Sequence, residues 1–346
     1  MSDPDILLSQ IKLGRRPLIH LSCPTAGRMG AAGGCAALGI LQSSLTDSGY
    51  SLLLALTACA AAVLTEWIGN LNQKPFSPRD GSAVTSALVF TLLLPHHLHP
   101  LLAAAGMVFA MGVVKRSFGG LGANWLNPAL GAWLFVRLAW PGAFTQALDP
   151  ASWGAPVAGF SGEVAGRFNA FDGPLTAWLN RTVFSLAGAE LPEGYLGLLV
   201  YTGNGAVAER GLLGLILGSI ILIGMRVNRF WMSALFLGVY ALLVRLFGDR
   251  SGGGSLGAGD VLGALFSGSV ITAAFLMITD PATGPKSRIG AGFAAAAAGL
   301  GAFFFQYRGL EPYGAYYAVG LMNALVPLIR DFECRGWYAG GLGHEV

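Results

Sequence analysis

About ten stretches of this chain are each close to the roughly 20 mainly apolar residues that a helix needs to cross a bilayer, and that recurrence leaves few ways to fold. They lie near 27–45, 50–69, 82–95, 98–115, 124–140, 207–225, 230–248, 259–279, 289–306 and 313–330. The third is the shortest and is expected to tilt or to be extended by its flanks. Only 11% of residues are charged, against about 25% in a soluble domain, and mean hydropathy is +0.60. Water is therefore excluded as the solvent, and the expected fold class is an all-α polytopic membrane protein. The 51 glycines suit helices whose backbones approach closely in lipid. The net charge of +3 sits in loops and at helix ends, so the chain has no basic face for nucleic acid. Cys23, Cys35, Cys59 and Cys334 are too scattered for a zinc site or a disulfide framework. The first 22 residues are polar and mixed and lack the order of a cleavable signal peptide, so they are expected to remain.

Lysine and arginine set the orientation, because they are retained on the cytoplasmic side. With the N-terminus inside, fourteen of the 21 fall in inner segments, Lys12, Lys74, Lys115, Arg226, Lys286 and Arg330 among them. The other seven, including Arg137, Arg210 and Arg308, fall outside or within spans. The expectation is N-in and C-in. A cytoplasmic segment 1–26 leads into a five-helix set over 27–140. A large extracytoplasmic loop over 141–206 follows, then a second five-helix set over 207–330 and a cytoplasmic tail over 331–346. Five is odd, so the two sets run in opposite senses, which is the layout of an inverted repeat with its working site near the repeat interface. Two faint echoes agree: Thr91 to Pro95 with Ile278 to Pro281, and Leu126-Asn127-Pro128-Ala129-Leu130 with Leu321-Met322-Asn323-Ala324-Leu325.

Three inner elements carry more Gly, Asp and Asn than connectors need: Asp80-Gly81-Ser82-Ala83, the stretch from Ser117 to Pro128, and Asp280 to Pro285. Irregular backbone at membrane depth is tolerated only where protein buries it or a cavity borders it. The three are expected to meet on the cytoplasmic side around a cavity for a planar polar ligand. The alternative is capping alone, with Asp80 starting a helix and Gly119 and Gly120 ending one. The binding candidates are Asp80, Ser82, Phe118, Gly120, Asn124, Trp125, Asn127, Asp280, Thr283 and Asn323. His96, His97 and His99 are close enough to suggest a metal, but between Pro95 and Pro100 they fit an interfacial turn better, so no metal ligand is assigned. Glu66 and Glu209 lie near span limits, where an acid marks either an ion path or a helix end.

These stretches carry a resemblance. Asp80-Gly81-Ser82-Ala83-Val84-Thr85 through Pro95, Phe118-Gly119-Gly120-Leu121-Gly122 with Asn127-Pro128-Ala129-Leu130, Phe275 to Pro285, and Leu321 to Leu328 together resemble the D-type membrane subunit of Rnf-type electron-transport complexes. That protein shares a family with the B-type subunit of the sodium-translocating NADH:quinone reductase. The resemblance implies ten helices in a urea-channel-like inverted repeat, placed in the bacterial inner membrane. It also implies electron transfer coupled to movement of Na⁺ or H⁺, performed with other integral and flavin or iron–sulfur subunits and not by this chain alone. The implied cofactor is riboflavin or FMN, usually joined to a threonine of a Ser-Gly-Ala-Thr-Pro-Leu motif in the outer loop. The chain departs from that motif, since alignment on Pro174-Leu175 puts Gly173 at the acceptor position. Glycine has no hydroxyl to esterify, so flavin is expected to be non-covalent, with Thr176 as the fallback acceptor. The competing functions are a cofactor-free scaffold subunit of such a complex, and a small-solute or ion channel on the same fold.

Overall fold

The computed structural model describes residues 25–70, 80–117, 124–145, 171, 173–182, 199–200, 205–248, 256–257, 259–285, 287–309 and 312–341. The main helices among them are α1 (Thr25–Thr46), α2 (Tyr50–Asn70), α3 (Ser82–Leu93), α4 (Pro100–Phe109), α5 (Pro128–Ala139), α6 (Leu212–Gly224), α7 (Phe230–Phe247), α8 (Gly268–Thr272), α9 (Arg288–Tyr307) and α10 (Gly314–Gly341). Wider π-helical turns prolong α4 over Ala110–Lys115 and α8 over Ala273–Met277. Short helices occupy Gly142–Thr145, Val207–Arg210 and Val261–Leu265.

Local chemistry accounts for several boundaries. Pro100 and Pro128 occupy first turns, where a missing N–H costs nothing. Before them, His99 accepts from the Leu101 amide and Asn127 from the Ala129 amide. Ser287 caps α9 by accepting from the Gly290 amide. Every predicted window contains a helix, with two differences of extent. The window 259–279 is interrupted, because Asp260 caps one short helix through the Gly263 amide and Ser267 precedes the next. The last helix runs on to Gly341, Gly336 included, through residues assigned above to a tail.

Among the described residues, three helices, Tyr50–Gly69, Phe230–Phe247 and Arg288–Tyr307, are long and apolar enough by length and composition to cross a membrane. Leu101, Leu138, Ile289 and Phe293 point outward and are exposed. Such faces suit lipid and would be a liability in water; the chain is membrane-embedded.

The two halves share a set of pairings: in the first, α1 lies on α3, α2 on α4, and α3 and α4 on α5; in the second, α6 lies on α8, α7 on α9, and α8 and α9 on α10. The first half adds α2 on α3 and α1 on α2. The halves meet along α1 and α6, where glycine is required by contact distance. A Cβ on Gly211 would stand 2.2 Å from the Gly39 carbonyl oxygen, one on Gly214 2.5 Å from that of Leu38, and one on Gly218 2.5 Å from Cys35 Sγ. A second joint is aromatic: Trp133 of α5 is fully buried and meets Phe144, Tyr313, Tyr316 and Tyr317 edge to face.

Candidate functional site

Successive helices run in alternate directions, so the starts of α1, α3, α5, α7 and α9 gather at one end with the finishes of α2, α4, α6, α8 and α10. At that end a cavity of about 200 Å³ opens. Its polar lining comes from Arg28 of α1, Ser82, Thr85 and Ser86 of α3, Lys115 after α4, Asn124 and Asn127 before α5, Asn228 before α7, and Thr279 and Asp280 after α8. Met29, Val89, Pro128, Phe275 and Leu276 supply apolar wall.

Most of these polar groups are held from behind. Asp80 accepts from the Ser82 amide at 3.0 Å and from the Ser82 hydroxyl at 2.9 Å, ordering the start of α3. Lys115 is buried, donates to Ser82 Oγ at 2.8 Å, and forms an ion pair with Glu66 of α2. The π-helical turn that ends α4 delivers this lysine to the wall; such turns recur at functional sites. Asn127 does two jobs, since its Oδ1 caps α5 and its Nδ2 donates to Asp280 Oδ2 at 3.1 Å. That contact ties the first half to the second across the cavity. Asp280 also shapes its own turn by accepting from the Ala282 amide at 3.0 Å and from the Thr283 hydroxyl at 3.3 Å. Arg330 of α10 clamps the same turn through the carbonyls of Ala282, at 2.9 Å, and Gly284, at 2.6 Å. Asn124 is buried beside the cavity, and its Oδ1 has no hydrogen-bond partner.

Of the residues singled out in the sequence, Ser82, Asn124, Asn127 and Asp280 come together on the wall. Asp80 and Thr283 stand behind Ser82 and Asp280 as supports. Trp125 is not brought in; it turns to an outer apolar groove with Phe109, Val113, Leu134 and Phe135. Asn323 is not brought in either, being buried within α10 away from the cavity lining, so it does not share the helix-capping setting of Asn127. Phe118 and Gly120 lie outside the described residues. Gly173 lies in a helical stretch, described over 173–182, in which the fallback acceptor Thr176 is buried. Glu66 proves to be a partner of Lys115. His99 caps α4 as a turn residue does, and no group of three His, Cys, Asp or Glu among the described residues could hold a metal ion. Lys115 was missed as a site residue because it reads as one more inner lysine closing an apolar window.

The wall can do a limited set of things chemically. It offers the cations of Lys115 and Arg28, amide groups of both polarities, a carboxylate already engaged on both oxygens, and apolar faces. That suits a flat, partly polar molecule better than a bare ion, which would be placed against Lys115 if positive and against Asp280 if negative.

Residues 13–337 match the model of the NQR2, RnfD, RnfE family. The D-type subunit of the proton-translocating ferredoxin:NAD(+) oxidoreductase complex from Clostridium ljungdahlii is 28% identical over 291 residues, covering 82% of each chain. The D-type subunit of the Na(+)-translocating ferredoxin:NAD(+) oxidoreductase complex from Acetobacterium woodii is 29% identical, covering 84% of this chain and 85% of the relative. The D-type subunit of the ion-translocating oxidoreductase complex from Stutzerimonas stutzeri is 31% identical over 309 residues, covering 82% of this chain and 83% of the relative. With a model match over most of its length and relatives aligned over four-fifths of theirs, the chain belongs to the NQR2, RnfD, RnfE family.

Proposed function

We propose that the chain is the membrane subunit of an ion-translocating electron-transport complex of the Rnf type, working with other subunits of that complex, and that its cavity holds riboflavin or FMN without a covalent bond. The names of the relatives support the first part. The observation that carries the second is the convergence of three separate loops on one cavity, with a buried, unpartnered acceptor, Asn124 Oδ1, beside it. An isoalloxazine ring needs apolar faces and a few fixed polar contacts, and its N3–H is a donor for such an acceptor. Asn124 and Asn127 would orient the ring edge, Met29, Val89 and Phe275 would flank it, and Lys115 would face its electron-rich side. A flavin bound there would supply one- and two-electron transfer. The buried support behind Ser82 and Asp280 would keep these contacts fixed.

The same proposal includes the layout. Ten spans form two inverted five-helix repeats, with both termini and the cavity on the cytoplasmic side of the bacterial inner membrane and 141–206 outside. The pairings that the two halves share support the repeat, and the lysines and arginines at the cavity end support the orientation. The glycine at position 173 supports the absence of a phosphoester link, which requires a side-chain hydroxyl.

The test is optical. Protein purified in mild detergent should show a flavin absorption spectrum that disappears from the polypeptide after acid denaturation and gel separation. The double variant Asn127→Ala, Asp280→Ala should lose most of the bound flavin. A fluorescent polypeptide band would overturn non-covalent binding; colourless native protein from a complete complex would leave a cofactor-free scaffold.

A further inference from the structure

At the opposite end of the bundle a second cavity, of about 280 Å³, is lined by Asp47, Tyr50, His96, His97 and Arg210. These residues come from the α1–α2 turn, the start of α2, the α3–α4 turn and the short helix before α6. Their hydrogen bonds leave a definite remainder. Asp47 is only 8% exposed; its Oδ2 accepts from the Ser51 amide at 2.8 Å and from the Ser51 hydroxyl, while its Oδ1 is buried with no hydrogen-bond partner. Tyr50 spends its hydroxyl hydrogen on the Leu98 carbonyl at 3.1 Å. Arg210 is fully buried and donates to the Thr46 carbonyl at 3.4 Å and to His96 Nε2 at 3.3 Å. Guanidinium only donates, so His96 Nε2 accepts and its Nδ1 carries the hydrogen that meets the Gly205 carbonyl at 3.1 Å. His97 Nε2 is likewise buried without a partner. In the tautomer with its hydrogen on Nδ1, His97 Nε2 presents a lone pair.

Two acceptors are therefore unmet, Asp47 Oδ1 and His97 Nε2, and the other lining side chains have already placed their polar groups elsewhere. A guest must bring donors. A metal ion fits poorly, because Arg210 already places a cation in the wall and no ligand triad exists among the described residues. An anion is opposed by the carboxylate and the lone pair. Water fits, since each molecule occupies about 30 Å³ of liquid volume and donates two hydrogens.

We propose that Asp47 and His97 form a proton-exchange site joined through water in this cavity. A proton arriving as hydronium passes to Asp47 Oδ1 or His97 Nε2 and leaves neutral water behind; the reverse step releases it. The other charged or titratable groups facing the pair are Tyr50, His96 and Arg210. Arginine keeps its charge throughout, Tyr50 gives its hydrogen to Leu98, and both His96 ring nitrogens are engaged. The site stands apart from the flavin cavity and does not depend on it.

Infrared difference spectra of the full chain in nanodiscs, titrated with acid, test this. A protonated-carboxyl band should grow as pH falls, shift in heavy water and be missing in Asp47→Asn, whose amide oxygen can still accept from Ser51. His97→Gln should move the midpoint of that band by at least about half a pH unit by removing a partner of the shared proton. A band identical in wild type and Asp47→Asn, or a midpoint unmoved by His97→Gln, would overturn the proposal. Should Asp47→Asn fail to fold, Asp47→Glu replaces it: a displaced band supports the site, and an unchanged band sinks it.

Discussion

Replacing Lys115 by methionine keeps the length of the side chain and removes its charge. In the fold this lysine is 8% exposed and its partner Glu66 15%, so the variant leaves a carboxylate nearly out of water with no counter-ion. Removing one member of a buried pair costs about 3–5 kcal/mol, because the remaining charge keeps its desolvation penalty. Ser82 also loses a donor, so the effect should reach the cavity wall. At roughly 2.1 cal/mol/K of unfolding entropy per residue, a chain of 346 residues has roughly 0.7 kcal/mol/K, and the loss corresponds to a Tm lowered by roughly 4–7 °C. Thermal unfolding in detergent, followed by tryptophan fluorescence, measures it. The double variant Lys115→Met, Glu66→Gln removes both charges and should recover most of the loss; the non-additivity of the cycle isolates the pair. A Lys115→Met protein as stable as wild type, or single effects that simply add, would refute the argument that the pair is buried and coupled.

Along the α1–α6 seam, Gly214→Ala should destabilise by about 1–3 kcal/mol, because the added Cβ meets the Leu38 backbone at 2.5 Å; Gly224→Ala, with nothing within 4 Å, is the matched control and should be neutral or mildly stabilising in the same melt. His96 is pushed down to about 4 by burial, then by the Arg210 charge. The folded state therefore holds it neutral while the unfolded chain takes up a proton near 6.5, so its contribution of roughly 3 kcal/mol is complete above pH 6.5 and lost as pH falls toward 4. A Tm profile that flattens in His96→Gln over that window is the check. A reporter fused after Val346 should be active in the cytoplasm, and activity only on the outer side would reverse the proposed orientation.

The helical windows could be read from hydropathy because a bilayer constrains length and polarity at once, and the three polar loops stood out because Gly, Asp and Asn are expensive there. What hydropathy does not contain is direction. Trp125 sits between two wall asparagines in sequence yet turns into an outer groove, since the irregular backbone before α5 points neighbouring side chains to different sides. Asn323 matched Asn127 by its neighbours, but one caps a helix and the other lies within one. Lys115 and Glu66 are 49 residues apart, and each taken alone looks like an ordinary helix-end charge. The usable signal was joint: an acid ending one span and a base ending the next but one, at the same end of the bundle.

The halves are joined by contacts whose physics differs: a glycine seam, an aromatic cluster around Trp133, and polar links. Apolar surface gives little drive for helix association in lipid, so close backbone approach and polar links must hold the seam. The glycines at 211, 214 and 218 allow that approach but do little to select register, because small residues slide past each other at low cost. Register has to come from directional groups. One lies at each end: Asn127 on Asp280 beside the first cavity, and Arg210 on the Thr46 carbonyl beside the second. Both cavities therefore form where the two halves are fixed to one another, and the residues that border them also align the fold. That is why a variant at either end must be judged by a ligand or proton readout together with stability, since loss of function alone does not separate a broken site from a slipped seam.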